Sequence, residues 1–262
     1  MPTSLQHYPA VSIAETLVFG RGIVDLWYWF YDGINDEELF AAHRVLITPD
    51  ERQKHDSFHF ERDRRLFLAT RALLRTVLSN YADVAPADWR FATGKHGKPR
   101  IGAPRITPFI HFNVANTPGL VVCAVSVAHE LLGVDAERIN CEAEIGGLAD
   151  RYFSPSEVRA LRALPACEQP RRFLAFWTLK ESYIKARGLG LTVPLDHFSF
   201  LIGDVIDITF DARLADDATR WRFALLDAPP CHIIAIGVDT GGAPLSLRTL
   251  HFVPLRKRRE TP

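Results

Sequence analysis

Asp135 and Glu137, in G-V-D-A-E at 133–137, and Glu181 and Lys185, in W-T-L-K-E-S-Y-I-K at 177–185, are the residues whose types and spacing can do chemistry. The first segment reads as a strand. Side chains two apart on a strand share a face, so both carboxylates point the same way. The second segment reads as a helix, on which residues four apart share a face. Two carboxylates from a strand and a third from a helix suit a hard divalent cation, and a lysine beside them suits a phosphate. Together they indicate Mg²⁺-assisted chemistry on a phosphate ester or diphosphate.

The elements that must carry these residues are punctuated twice in the same way. T-P-D-E at 48–51 recurs as S-P-S-E at 154–157, and F-L-A at 67–69 recurs at 173–175, both at an offset of 106. In these four-residue motifs the hydroxyl residue caps a helix, proline fits its first turn, and glutamate closes a capping box. Each half reads strand, loop, capped helix, longer helix. The expected fold is α+β, with two similar α/β subdomains, 1–130 and 131–262, in a pseudo-two-fold arrangement and the active site in the cleft between them. The first long helix is expected over 62–79, where Leu66, Ala69, Leu73 and Val77 recur at helical spacing. The second should stop at Gly188, a glycine cap. Runs 119–127 and 131–136 read as a hairpin turning at 128–130, with further strands at Phe112, 192–201 and 232–238. Residues 204–230 carry no clear pattern.

Composition narrows the function classes. The chain has 262 residues, 47% hydrophobic and 24% charged, as in soluble globular proteins. Its formal net charge of zero points away from nucleic acid and membrane surfaces. No apolar run approaches the roughly 20 residues of a membrane span. The first residues lack the basic region and apolar core of a signal peptide. Cys123, Cys141, Cys167 and Cys231 form no C-x-x-C pair, which fits a reduced, cytoplasmic protein. Phosphate-loop, serine-hydrolase and H-E-x-x-H motifs do not occur. The basic run at 256–259 reads as a solvated end.

G-V-D-A-E at 133–137, F-S-P-S-E at 153–157, W-T-L-K-E-S-Y-I-K-A at 177–186 and G-L-G-L at 188–191 resemble the signature of 4′-phosphopantetheinyl transferases, of the surfactin-synthetase-activating type. The resemblance extends upstream to H-G-K-P at 96–99 and H-F-N at 111–113. It implies a monomeric, cytoplasmic enzyme that moves the phosphopantetheine arm of coenzyme A onto a serine of an acyl or peptidyl carrier protein. By the same resemblance Asp135, Glu137 and Glu181 would hold Mg²⁺, Lys185 would sit on the diphosphate, and Lys180 would support the site. Lys98 and Gly97 would meet the nucleotide end. At 51–54, where the family has basic residues for the 3′-phosphate, Arg52 and Lys54 would serve, although Glu51 breaks the pattern; apart from the resemblance, Arg71 on the interior side of the first long helix is a further candidate for that phosphate. Where the family has F-N-x-S-H-[ST], this chain has Ala115 and Asn116 before Thr117; Asn116 and Thr117 would contact the cofactor.

Glu181 and Glu157 both stand as candidate proton acceptors, and Glu157 also reads as a plain capping-box residue. An isolated D-x-E is more often a solvated face, and a lone Glu–Lys pair four apart an ordinary surface pair; it is their combination that points to a site. Trp177 reads as core or as a prop behind it. Residues 142–152 read as a helix-like stretch whose Ile145, Leu148 and Ala149 would meet the carrier. A non-catalytic binder of coenzyme A or carrier, and another Mg²⁺-dependent enzyme acting on a diphosphate, remain compatible alternatives.

Overall fold

The computed structural model describes residues 3–4, 22–32, 34, 36–94, 97–139 and 145–255. In chain order the strands and helices are β1 (Thr3–Ser4), β2 (Ile23–Phe30), α1 (Glu37–Leu46), α2 (Pro49–Ser57), α3 (Glu61–Leu78), β3 (Arg90–Thr93), β4 (Pro99–Ala103), β5 (His111–Thr117), β6 (Leu120–Ser126), β7 (Leu132–Arg138), α4 (Gly146–Tyr152), α5 (Pro155–Arg162), α6 (Gln169–Arg187), β8 (Phe198–Ile202), β9 (Ile206–Phe210), β10 (Trp221–Ala228), β11 (His232–Asp239) and β12 (Ser246–His251).

The strands make two four-stranded sheets, β12-β2-β6-β5 and β1-β10-β11-β7, and two hairpins, β3-β4 and β8-β9. Strand alternation divides the core. In the first sheet Trp27, Trp29, Val121 and Cys123 face α3, packing on Leu73 and Val77. The opposite faces of both sheets meet each other: Val24, Leu26, Val122 and Ala124 pack on Leu132, Val134, Ile234 and Ile236. In the second sheet Ile233 and Ala235 face Phe176, Leu179 and Tyr183 of α6. The layers therefore run helix, sheet, sheet, helix, and the mixed α+β class is as expected.

Both capping boxes form. Thr48 and Glu51 exchange bonds at the start of α2, and Ser154 and Glu157 do so at the start of α5. Helix α6 ends where expected, with Gly188 in the left-handed region at φ 62. Other expectations are corrected. β6 and β7 do not form a hairpin: β6 is paired on one side with β2 and on the other with β5, while β7 pairs with β11 in the other sheet. The tight turn lies one strand earlier, at Pro118-Gly119 between β5 and β6, where Gly119 takes φ 91. The first-half loop contains α1. Of 192–201 only the end is strand, since residues up to His197 are wound into short 3₁₀ turns around Pro194. The unpatterned stretch 204–230 holds β9 and β10.

The chain ends cross over. β12 runs parallel to β2 at the edge of the first sheet, and β1 runs parallel to β10 at the edge of the second. Buried Asp25 of β2 takes both guanidinium arms of Arg248 of β12 at 2.7 and 2.8 Å.

Candidate active site

The site begins with a close approach. A Cβ on Gly133 would lie 2.0 Å from the Ser182 carbonyl oxygen and 2.4 Å from the Ala186 nitrogen. Its cross-strand partner is Gly237, where a Cβ would meet Phe223 and Ser182. Two glycines on neighbouring strands thus form a seat into which α6 settles backbone to backbone. Two residues on, Asp135 faces the same helix, and Lys185 Nζ donates to its Oδ1 at 2.6 Å. Glu137 follows on the same strand face, and Glu181 lies one helical turn before Lys185.

Asp135 is buried, and its other oxygen, Oδ2, has no hydrogen-bond partner among the described residues. A buried carboxylate oxygen left bare is costly. Burial holds Asp135 above the usual carboxylate range, against the pull of Lys185. Burial, then the Asp135 charge, pushes Glu137 up to about 7. Glu181 is raised by burial and then by Asp135. Three carboxylates, two of them raised by the charge of Asp135, with one bare oxygen, are a donor set suited to a hard cation. Among the described residues no group of three His, Cys, Asp or Glu side chains converges as a formed metal cluster. The Lys185 ammonium supplies the positive charge beside Asp135 here. Trp177 packs on Phe173 and Tyr152, and its indole pulls the pKa of Glu137 down against the effect of burial.

Glu181 and Lys185 open into a cleft of about 310 Å³ between the halves, lined also by Gly97, Lys98, Asn113 and Gly188. Lys98 reaches across from the β3-β4 turn and donates to the carbonyls of Leu132 and Ala186 at 3.1 and 2.9 Å. Its burial lowers its pKa to about 8. The lysine thereby ties the first half to the ends of α6 and β7 and keeps one further donor. Gly97, at φ 86, leaves open space where a side chain would be.

Two family models match this chain: the 4′-phosphopantetheinyl transferase superfamily over residues 131–237 and the 4′-phosphopantetheinyl transferase N-terminal region over residues 35–128. The chain is 34% identical over 200 residues to 4′-phosphopantetheinyl transferase Sfp of Bacillus subtilis, covering 75% of this chain and 79% of that protein. The chain belongs to the 4′-phosphopantetheinyl transferase superfamily. It is of the Sfp type. It is also 34% identical over 147 residues to 4′-phosphopantetheinyl transferase HetI of Nostoc sp., covering 56% of this chain and 62% of that protein. Among solved structures, the holo-[acyl-carrier-protein] synthase of Thermotoga maritima matches with a TM-score of 0.33 at 20% identity, over 45% of this chain and 63% of that one.

Within this phosphopantetheinyl transferase chain, several expected site residues lie elsewhere. Glu157 and Lys180 pair with each other away from the cleft lining. Their charges meet at 2.8 Å with both side chains fully buried. Glu157 also accepts from the Ser154 and Phe200 nitrogens, and Lys180 donates to the Leu195 and Phe198 carbonyls. That fully buried pair locks α5 to α6 and the β8 strand. Arg71 is held by Glu51 at 3.3 Å, and fully buried Arg75 binds the same carboxylate at 2.5 Å. Glu51 is thus shared between two guanidiniums, and the three side chains together keep a positive charge. Lys54 is exposed on α2, its ammonium 5.9 Å from the centre of the Phe67 ring.

Asn116 is exposed, on the β5 face away from Asn113, and does not line the cleft. Thr117 is buried, and its hydroxyl accepts from the Arg138 nitrogen at 3.2 Å. Ala115 faces the apolar layer between the sheets, so a serine's absence there takes no side chain from the cleft. His96, quoted in the resemblance, and residues 142–144 lie outside the described residues. Of the expected carrier patch, Ala149 is core and Ile145 is half-buried, leaving Leu148 exposed at 46%. Sequence reasoning missed Gly237, whose pairing with Gly133 no local pattern announces, and quoted Asn113 in the resemblance without assigning its side chain a role.

Proposed function

We propose that this protein transfers 4′-phosphopantetheine from coenzyme A to a serine of an apo carrier protein, releasing adenosine 3′,5′-bisphosphate, as a cytoplasmic monomer whose halves, 1–130 and 131–262, are related by a pseudo-two-fold. The observation that carries this reading is buried Asp135, one oxygen on Lys185 and the other bare, with Glu137 and Glu181 beside it at a cleft between the halves. Asp135, Glu137 and Glu181 would hold Mg²⁺. When bound, the ion neutralises diphosphate oxygens and fixes their geometry.

In the reaction the serine Oγ forms a bond to the phosphorus that carries pantetheine. The bond from that phosphorus to the bridging oxygen breaks, and the bisphosphate leaves with the electron pair. The serine proton passes to Glu181, the carboxylate of the trio that lines the cleft. Lys185, a compact cation at the cleft, stabilises charge gathering on the leaving phosphate. Lys98 holds the cleft wall and turns its remaining donor to the nucleotide end.

Intact mass spectrometry of an apo carrier, after incubation with this protein, coenzyme A and Mg²⁺, tests the reading. The expected result is a mass gain of one phosphopantetheine that is absent with EDTA and reduced roughly 100-fold or more in rate by Glu181→Gln. No gain across fatty-acid, polyketide and peptide carriers would overturn it.

A further inference from the structure

Asn113 carries chemistry that the carboxylates and lysines do not. It is 2% exposed on the cleft floor beside Lys98, Glu181 and Lys185. Its oxygen is committed: Oδ1 accepts the Val134 N–H at 2.8 Å, tying β5 to β7 where the two sheets meet. The side-chain amide is flat, with one accepting end and one donating end, and the Val134 N–H can be met only by the oxygen. Fixing Oδ1 on β7 turns the NH₂ away from that strand. Among the described residues no acceptor hydrogen-bonds that nitrogen.

A tie between β5 and β7 needs only an acceptor. Four residues on, the Thr117 hydroxyl makes the same kind of tie, to the Arg138 nitrogen. An amide at 113 makes the tie and adds two donors. Its cleft neighbours include two ammonium groups, Lys98 and Lys185. A neutral N–H in a cleft that two ammonium groups also line is matched to an anion with several oxygens.

Resting on the reading above, we propose that Asn113 is a phosphate-contacting residue, its NH₂ donating to a non-bridging oxygen of the coenzyme A diphosphate alongside Lys185. The amide stays neutral, so it adds orientation without adding charge.

The test follows the side-chain NH₂ signal of ¹⁵N-labelled full-length protein, identified as the signal missing in Asn113→Asp. That variant keeps the acceptor for Val134 and is expected to melt within a few degrees of the parent. Titration with inorganic pyrophosphate, and separately with coenzyme A, is expected to shift the signal. Calorimetry is expected to give coenzyme A affinity at least 10-fold weaker in Asn113→Asp, with carrier KM unchanged. A signal unmoved by pyrophosphate overturns the assignment, as does a variant that loses its fold together with its affinity, which marks a purely structural residue. Carrier modification by the parent protein is scored separately, so a failed transferase reading and a failed Asn113 assignment give different results.

Discussion

At the scale of single residues, the acidic trio costs the fold something that an ion would return. Glu137 is raised from 4.5 to about 7. Between those values the folded chain keeps a proton that the unfolded chain has released, so this group makes stability fall as pH rises from about 4.5 through about 7. Glu137→Gln removes that slope. In EDTA at pH 8 the variant should melt higher than the parent by roughly 2–4 °C, the equivalent of about 1 kcal/mol in a chain of this size. At pH 5 the two should coincide. Saturating Mg²⁺ should flatten the parent's slope, because a bound cation favours the ionised carboxylate. Melting curves at pH 5, 6, 7 and 8, with EDTA or Mg²⁺, check this; parallel curves would remove Glu137 from the ion's ligands.

At the scale of elements, what matters is how α6 is seated. Gly133→Ala puts a methyl group 2.0 Å from the Ser182 carbonyl oxygen, a backbone atom that cannot rotate aside. The helix must lift from β7, which separates Lys185 from Asp135. The expected cost is about 3 kcal/mol by urea midpoint, the upper end for overpacking, with transfer activity lost in the fraction that stays folded. The same helix is anchored on its far side by the Glu157–Lys180 pair. Lys180→Met leaves Glu157 buried without its cation and should cost roughly 3–5 kcal/mol. Whatever folds should keep its coenzyme A affinity, a combination that separates a lock from a site residue. The sequence made α3, α6, both capping boxes and the placement of Asp135 on a strand and Lys185 on a helix legible, because each rests on local spacing. It hid what depends on distant pairing. β6 and β7 are both apolar and adjacent in sequence, and only the partners β2, β5 and β11 decide that they belong to different sheets. Glu157 and Glu181 look equivalent as acids until Lys180, about 100° around the helix from Glu181, is seen to pair with Glu157 away from the cleft lining.

At the scale of the whole molecule, the two halves cannot be parted at residue 130 without exposing what each hides. The layer between the sheets is apolar on both sides, with Val24, Leu26 and Val122 from one half meeting Val134, Ile234 and Ile236 from the other. Polar ties cross the same boundary: Asn113 to Val134, Thr117 to Arg138, and His232 Nε2 to the Pro118 carbonyl at 2.8 Å. The first sheet also borrows its edge strand, since β12 and Arg248 come from the far end of the chain to cover β2 and pair with Asp25. A fragment of residues 1–130 would therefore carry an unpaired strand edge, a buried carboxylate without its arginine and a bare apolar sheet face. Together these costs are comparable to the roughly 5–15 kcal/mol by which domains are stable. The full chain should accordingly unfold in a single transition by circular dichroism and tryptophan fluorescence, and fragment 1–130 alone should lack a cooperative transition. Adding a 131–262 fragment should restore folding by supplying β7 and β12 together, whereas a 131–245 fragment should restore it poorly because Arg248 and its strand are missing. A fragment 1–130 that melts cooperatively by itself would mean that the repeat marks two self-sufficient domains rather than one molecule folded around its own cleft.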